Sequence, residues 1–218
     1  AGEAVAIQGV SGGGKTTLLR LLLGQLRADR GQVLIDGQPI DNLDLAAWRE
    51  RVAWMSQHPR LIADTLAANL RVARHDADDD ALLEALRFAG LADWFGKLPD
   101  GLATRLGEGG RQMSGGQLRR LALARVRLRR ADVLLLDEPT ASLDAHTEQW
   151  VIARIDELRQ GRTLVLLTHR PAPLVLADRV LRLADGRLHA SGEIAADPAG
   201  DLLGSPARGS AKVCRRCA

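Results

Sequence analysis

Cysteine, tyrosine and long apolar segments are scarce in this sequence. Its 218 residues include two cysteines and no tyrosine. The cysteines, Cys214 and Cys217, form a single CxxC at the end of the chain, without the second pair or the histidines that a zinc site needs. We therefore interpret this CxxC as a reduced tail and exclude a small disulfide-linked fold.

No apolar run is long enough to cross a bilayer. A spanning helix needs about 18 or more apolar residues, and the richest run, residues 18–26, is interrupted by Arg20, Gly24 and Gln25. The N-terminus also lacks the basic and then apolar pattern of a secretion signal. Because the chain begins at Ala1, without a methionine, at the approach to a predicted strand, we expect a fragment of a longer polypeptide.

Net charge is small as well. The 30 Lys and Arg residues and the 27 Asp and Glu residues give +3 at pH 7. Residues 202–218 carry +4 and no acid, so the remaining 201 residues of this +3 chain carry −1. Proteins that bind nucleic acid usually present a concentrated basic patch. The neutral body therefore argues against nucleic acid as a partner.

The rest of the sequence indicates one α/β domain. Apolar residues at 46% and charged residues at 26% are ordinary for a folded protein. Apolar runs at 133–136 and 164–167 are typical of buried parallel strands, whereas residues 60–130 have mostly helical patterning. We expect residues 1–195 to form the domain and the basic segment 196–218 to be disordered.

A glycine-rich loop follows the first apolar run. Residues 9–16, GVSGGGKT, match GxxxxGK[ST] between a predicted strand and a predicted helix. Glycines let backbone N–H groups surround a phosphate, Lys15 reaches the β- and γ-phosphates, and the Thr16 hydroxyl is a ligand for Mg²⁺. The loop therefore predicts a phosphate site whose residues are Gly9, Ser11, Gly12, Gly13, Gly14, Lys15, Thr16 and Thr17.

Two acids end the buried run at 134–136. Asp137 and Glu138 would lie at the edge of the sheet where open α/β folds bind ligands. Asp137 can help to hold Mg²⁺, and Glu138 can accept a proton from an attacking water. Two solvated acids at a strand end are the simpler interpretation, but the phosphate loop upstream favours catalysis.

Four further motifs complete a pattern. They are Gln57, the run Ser114-Gly115-Gly116-Gln117 before a predicted helix, the run 141–144 ending in Asp144, and Thr168-His169. With the loop and the acids they resemble, over about residues 1–195, the nucleotide-binding domain of an ABC ATPase. That family has a P-loop NTPase fold with a mostly parallel core sheet, an antiparallel β-subdomain, here truncated at its N-terminus, and an inserted helical subdomain, here at about 60–130.

The resemblance implies roles for single residues. Glu138 would be the catalytic base, His169 would contact the γ-phosphate of ATP, and Gln57 would sense Mg²⁺ and the attacking water. Thr16, Gln57 and Asp137 would hold the Mg²⁺. The signature Ser114, Gly115, Gly116 and Gln117 would close over the ATP of a partner domain, with Asp144 at the dimer seam. Two domains would thus bind two ATP molecules head to tail.

Further resemblances concern the transported substrate and the membrane. Residues 104–110 are similar to the exporter segment that touches the membrane domain, with Glu108 as the contact, although an ordinary polar loop is an equal interpretation. This implies an exporter motor at the cytoplasmic face of the inner membrane, with a transmembrane domain fused upstream. Residues 141–149 are similar to the CydD-like half of the cysteine/glutathione exporter for cytochrome bd assembly.

The sequence also departs from the family. Family members stack an aromatic side chain, usually Tyr, on adenine, but this chain has no Tyr and only eight residues before Gly9. Either that aromatic was lost with a missing N-terminal segment or adenine binding is weakened. Arg119 stands where Gln is commoner in the signature helix.

Two other functions remain open. A soluble ABC ATPase acting on DNA or ribosomes usually carries coiled-coil insertions or tandem ATPase domains, and neither fits into 218 residues. A truncated fragment that binds ATP with weak turnover is the other, although Lys15, Asp137, Glu138 and His169 are all present.

Overall fold

Eight strands form two sheets in the computed structural model, which describes residues 2–10 and 12–190. The strands are β1 (Ala4–Gln8), β2 (Leu34–Ile35), β3 (Gln38–Pro39), β4 (Val52–Met55), β5 (Val133–Asp137), β6 (Thr163–Thr168), β7 (Arg179–Ala184) and β8 (Arg187–Ala190). The large sheet has the order β4-β5-β6-β1-β7-β8 and is parallel except between β7 and β8. Strands β2 and β3 form the small antiparallel pair, and Asp36-Gly37 makes its turn with both φ angles positive.

Seven helices connect or flank these strands in the described residues. They are α1 (Lys15–Leu22), α2 (Leu45–Glu50), α3 (Leu66–Arg71), α4 (Asp79–Phe88), α5 (Ala92–Phe95), α6 (Gly115–Leu128) and α7 (Ala145–Arg159). Local sequence explains where several begin, because a side chain accepts a hydrogen bond from the first-turn backbone. Asp78 caps α4 in this way, Ser114 caps α6 and Asp144 caps α7.

Both faces of the large sheet are buried, which explains why its central strands are apolar without alternation. Leu134, Leu136 and Leu166 pack on one face with residues of α6 and α7. Leu135 and Leu167 pack on the other face with Leu19 of α1, with Leu23 at the end of that helix and with Trp48 of α2. Each fully buried leucine contributes roughly 1.5–3 kcal/mol of transfer free energy. The predicted strands at 133–136 and 164–167 are therefore confirmed.

A second cluster of apolar side chains lies apart from the sheet. It joins α3, α4 and the outer face of α6 through Leu66, Leu70, Leu82, Leu86 and Leu121. Helices α3 to α6 occupy residues 66–128, in agreement with the helical patterning predicted for 60–130. The domain boundary near 195 and the basic tail 196–218 lie outside the described residues, so both stay predictions.

The parallel strands bring distant parts of the sequence to one edge. The register pairs Gln8 with Thr168 and Met55 with Leu136. The carboxyl ends of β1, β4, β5 and β6 therefore lie side by side. In the described part of the chain, none of the helices combines the length and apolar character that a membrane span requires.

Candidate nucleotide site

Lys15 follows the three glycines of the loop and is the first residue of α1. Its side chain is buried, and Nζ donates to the carbonyls of Gly9 and Val10 at 2.6 and 3.1 Å. The same Nζ lies 3.6 Å from Glu138 Oε1. The loop therefore holds its one lysine in place with its own backbone and directs it towards the end of β5.

Two glycines give the loop its shape. Gly12 and Gly14 have φ angles of 80° and 94°, in the left-handed region that favours glycine. Gly14 also precedes α1, and in the described residues no side chain caps the first turn of this helix. Gly14, Lys15 and Thr16 line the cavity at that helix N-terminus. This is the arrangement that binds phosphate at a helix N-terminus. Ser11 lies outside the described residues.

Asp137 and Thr16 form the next contact. The Thr16 hydroxyl donates to Asp137 Oδ2 at 3.2 Å, and only 3% of Asp137 is exposed. Burial raises the pKa of Asp137, and the hydrogen bond from Thr16 and the charge of Lys15 partly oppose that rise. A buried carboxylate beside a hydroxyl gives the oxygen ligands that Mg²⁺ prefers.

Glu138 has a strained backbone and a fixed side chain. Its φ angle is 50°, which costs roughly 1–3 kcal/mol for a residue other than glycine. The His169 ring lies with Nδ1 2.8 Å from Glu138 Oε1, and the His169 N–H donates to Oε2 at 3.4 Å. The Glu138 carboxylate thus lies between Lys15 and His169.

Gln57 completes this first cavity, which has a volume of about 230 Å³. The residues that line it come from three strand ends and are Gly12, Gly14, Lys15, Thr16, Thr17, Gln57, Asp137 and Glu138. The tertiary structure therefore brings together the glycine loop, Gln57 and the two acids, with His169 in contact with Glu138.

The signature lies elsewhere in the chain. Ser114, Gly115, Gly116, Gln117 and Asp144 line a second cavity of about 570 Å³ that shares no lining residue with the first. Ser114 and Gln117 form a reciprocal capping box at the start of α6. The signature is thus separate from the phosphate loop of its own chain.

Arg119 connects the two regions. Its Nη2 donates to the Gln57 carbonyl at 3.2 Å, while its buried Nη1 has no hydrogen-bond partner among residues 2–10 and 12–190. Burial lowers the pKa of Arg119, and the negative charge of Glu138 opposes that change. The sequence marked Arg119 as unusual, but its contact with Gln57 spans 62 positions and could not be predicted.

Arg170 is the residue that the motifs did not reveal. It follows His169, and its guanidinium donates to the carbonyls of Thr140 and Leu143 and to Glu148. Glu148 lies in the first turns of α7, 22 positions before Arg170, and no local pattern in the sequence pairs the two residues. The only local signal was the position of Arg170 beside His169.

Comparison with known proteins agrees with this geometry. Residues 1–141 match the family model described as ABC transporter. The chain is 41% identical over 191 residues to an ATP-dependent lipid A-core flippase of Chromobacterium violaceum, covering 88% of this chain and 33% of the flippase. It is 40% identical over 190 residues to a Lactococcus lactis multidrug resistance ABC transporter ATP-binding and permease protein, covering 87% and 32%.

A solved structure shows the same fold. A bacterial Atm1-family ABC exporter with ATP bound superimposes with a TM-score of 0.79 at 36% identity, covering 86% of this chain and 33% of that one. The chain spans about a third of the length of these relatives. None of these three names cysteine or glutathione export, so they do not support the narrower similarity at 141–149. Because the family model covers more than half of the sequence, the chain belongs to the ABC transporter family, as an ATP-binding domain of the exporter type.

Proposed function

We propose that this domain is the ATP-hydrolysing motor of an exporter. The observation that carries the proposal is the position of Glu138, a buried carboxylate held 2.8 Å from the His169 ring and 3.6 Å from Lys15 Nζ at the edge of a phosphate loop. A carboxylate fixed in this way can take a proton from a water that attacks the γ-phosphate. His169 and Lys15 would then face the charge that develops on the phosphate.

The residues fit Mg²⁺ as well as ATP. The Thr16 hydroxyl and the buried Asp137 carboxylate, with Gln57 in the same cavity, would hold the ion. Bound there, Mg²⁺ would neutralise charge on the β- and γ-phosphates. The fit rests on Asp137, whose burial raises the cost of its own charge and thereby favours a cation beside it.

The second cavity supports a head-to-tail dimer. Ser114 and Asp144 begin two helices whose N-termini open into the same space, which is suited to a phosphate. Among the described residues, none that lines this cavity also lines the first cavity, which contains the phosphate loop of the same chain. We propose that a second ABC ATPase domain supplies the missing half of each site, so that ATP shifts the population from open to closed dimers.

The names of the relatives support a proposal on partners and location. The Lactococcus relative is named as an ATP-binding and permease protein, and this chain matches about a third of it. We propose a transmembrane domain in the same polypeptide and a position at the cytoplasmic face of the inner membrane. Because the relatives named above are transporters, we prefer export to work on DNA or ribosomes. Export of cysteine or glutathione remains a hypothesis based on residues 141–149.

Replacement of Glu138 by Gln tests the proposal. ATP hydrolysis should fall by about 10²–10⁴-fold, because the amide cannot accept a proton, while ATP binding persists and the closed dimer accumulates. Turnover and calorimetric binding of ATP measure the two effects. The control is Asp132→Asn, since Asp132 is an exposed acid that pairs with Arg51 at the other end of β5. Unchanged hydrolysis in the Glu138 variant would refute its role as the base.

A further inference from the structure

One arginine clamps the loop that leads from the catalytic acids to α7. Arg170 Nη1 donates to the carbonyl of Thr140 at 2.8 Å and to that of Leu143 at 3.2 Å. Its Nη2 forms an ion pair with Glu148 at 2.8 Å, in the first turns of α7. A single guanidinium therefore joins both ends of loop 140–144 to the helix that follows.

Few other groups could replace the Arg170 guanidinium, because the atoms that it contacts are buried. Thr140 and Glu148 are buried, and the Glu148 side chain is only 8% exposed. Within the part of the chain that the structure describes, the other Glu148 oxygen and the Thr140 hydroxyl have no hydrogen-bond partner. Loss of Arg170 would thus leave a buried carboxylate without its partner and two carbonyls without this donor. Within the loop, Ser142 has a φ angle of 59°, a conformation that this packing must maintain.

The same short segment also holds the catalytic base. His169 contacts Glu138 through its ring and its backbone N–H. The Arg170 N–H donates to the fully buried Thr168 hydroxyl at 3.0 Å, which fixes the backbone between the two side chains. Adjacent residues thus hold the base on one side and loop 140–144 on the other.

We propose that Arg170 is a positioning residue that sets loop 140–144, and with it Asp144 and the wall of the second cavity, relative to Glu138. The proposal rests on the proposed function, since Asp144 matters to hydrolysis only where a partner domain closes over ATP. Arg170 does not line the phosphate cavity. Its loss therefore lowers turnover and dimer formation without changing the affinity of one domain for ATP.

Two variants distinguish loss of the Arg170 hydrogen bonds from loss of its positive charge alone. Arg170→Lys keeps a cation for Glu148 but lacks the planar fork that reaches two carbonyls as well. Arg170→Met with Glu148→Gln removes the buried unpaired charge and so protects folding. The matched control is Arg159→Lys, because Arg159 forms a 2.8 Å ion pair with Asp156 in α7 and its side chain is 26% exposed, as is that of Arg170.

The measurements are hydrogen exchange of amides 141–144 without nucleotide, ATP affinity, and kcat and KM for hydrolysis by the whole chain. Both Arg170 variants should exchange these amides at least about tenfold faster and lose about 10–100-fold in kcat, with ATP affinity unchanged. The Arg159 control should match the wild type in all three. Wild-type exchange or wild-type kcat in Arg170→Lys would overturn the proposal.

Failure of the proposed function would give different results from failure of the Arg170 proposal. A wild-type chain that binds no ATP, or binds it without hydrolysis, would refute the motor assignment. The exchange measurement needs no nucleotide, so it would still decide whether Arg170 fixes the loop. Faster exchange confined to the Arg170 variants supports the clamp, and equal exchange in all chains refutes it.

Discussion

The two cavities of this domain are built from different kinds of groups. The first contains charged side chains that are buried: Lys15, Asp137 and Glu138 are each at most 7% exposed. Lys15 pairs with Glu138, and Asp137 accepts a hydrogen bond from Thr16. The second opens between two helix N-termini, and its motif residues Ser114 and Asp144 are exposed and, among the described residues, form their side-chain hydrogen bonds within their own helices. The charged groups of the first cavity are therefore already held in place by the chain itself. The second cavity instead presents exposed groups that another molecule could contact.

The difference shows which part of the site depends on a partner. A buried ionic cluster must satisfy its charges within the chain, because desolvation of an unpaired charge costs several kcal/mol. Helix N-termini can remain solvated until a phosphate arrives, because water satisfies their N–H groups. The phosphate cavity is thus assembled within one domain, and under the proposed function the signature would act only when a second domain presents its nucleotide.

The strongest test of this comparison damages one cavity in each of two chains. Ser114→Arg should abolish hydrolysis, because the side chain fills the second cavity, and Lys15→Ala should abolish it through the first. A 1:1 mixture should recover about a quarter of the wild-type rate, because half of randomly mixed dimers contain both chains and each has one intact site of two. No recovery at any mixing ratio would contradict the head-to-tail arrangement.

A smaller effect concerns what the first cavity recognises. Its lining residues are those proposed to bind phosphate and metal, and among the described residues that line it none is aromatic. We therefore expect the chain to bind ATP and GTP with dissociation constants within about tenfold, a difference below about 1.4 kcal/mol. Calorimetry with both nucleotides measures this ratio. A stronger preference for adenine would show that residues outside this cavity contact the base.

The smallest expected effect is that of removing the charge of Asp144, which caps α7. Hydrogen bonds from the Thr147 backbone hold the pKa of Asp144 below its ordinary value of 3.8. The ionised cap therefore stabilises the fold above about pH 4, and this contribution is lost as the pH falls further. Asp144→Ser keeps a cap that does not titrate. The Tm difference between wild type and variant should be below about 4 °C at pH 7 and shrink at pH 3, and a constant difference would contradict the role of the charge.

Sequence reasoning reaches furthest where the chemistry is local. The glycine loop and the acids that end β5 are each a few consecutive residues whose expected roles follow from residue type. Long apolar runs likewise predicted the buried strands, because a strand covered on both faces needs no polar side. By contrast, the contacts of Arg119 with Gln57 and of Arg170 with Glu148 join residues 62 and 22 positions apart.

The sequence by itself determined the kind of protein, since six short motifs in one order specify an ABC ATPase domain. Only the tertiary structure decided how those motifs are divided between cavities: it placed His169 on Glu138, the signature in a separate cavity, and Arg170 on loop 140–144. The physical reason is that a motif is encoded by neighbouring residues, whereas a contact depends on strand register. The pairing of Asp137 with Leu167 brings Glu138 beside His169, and no short stretch of sequence encodes that pairing.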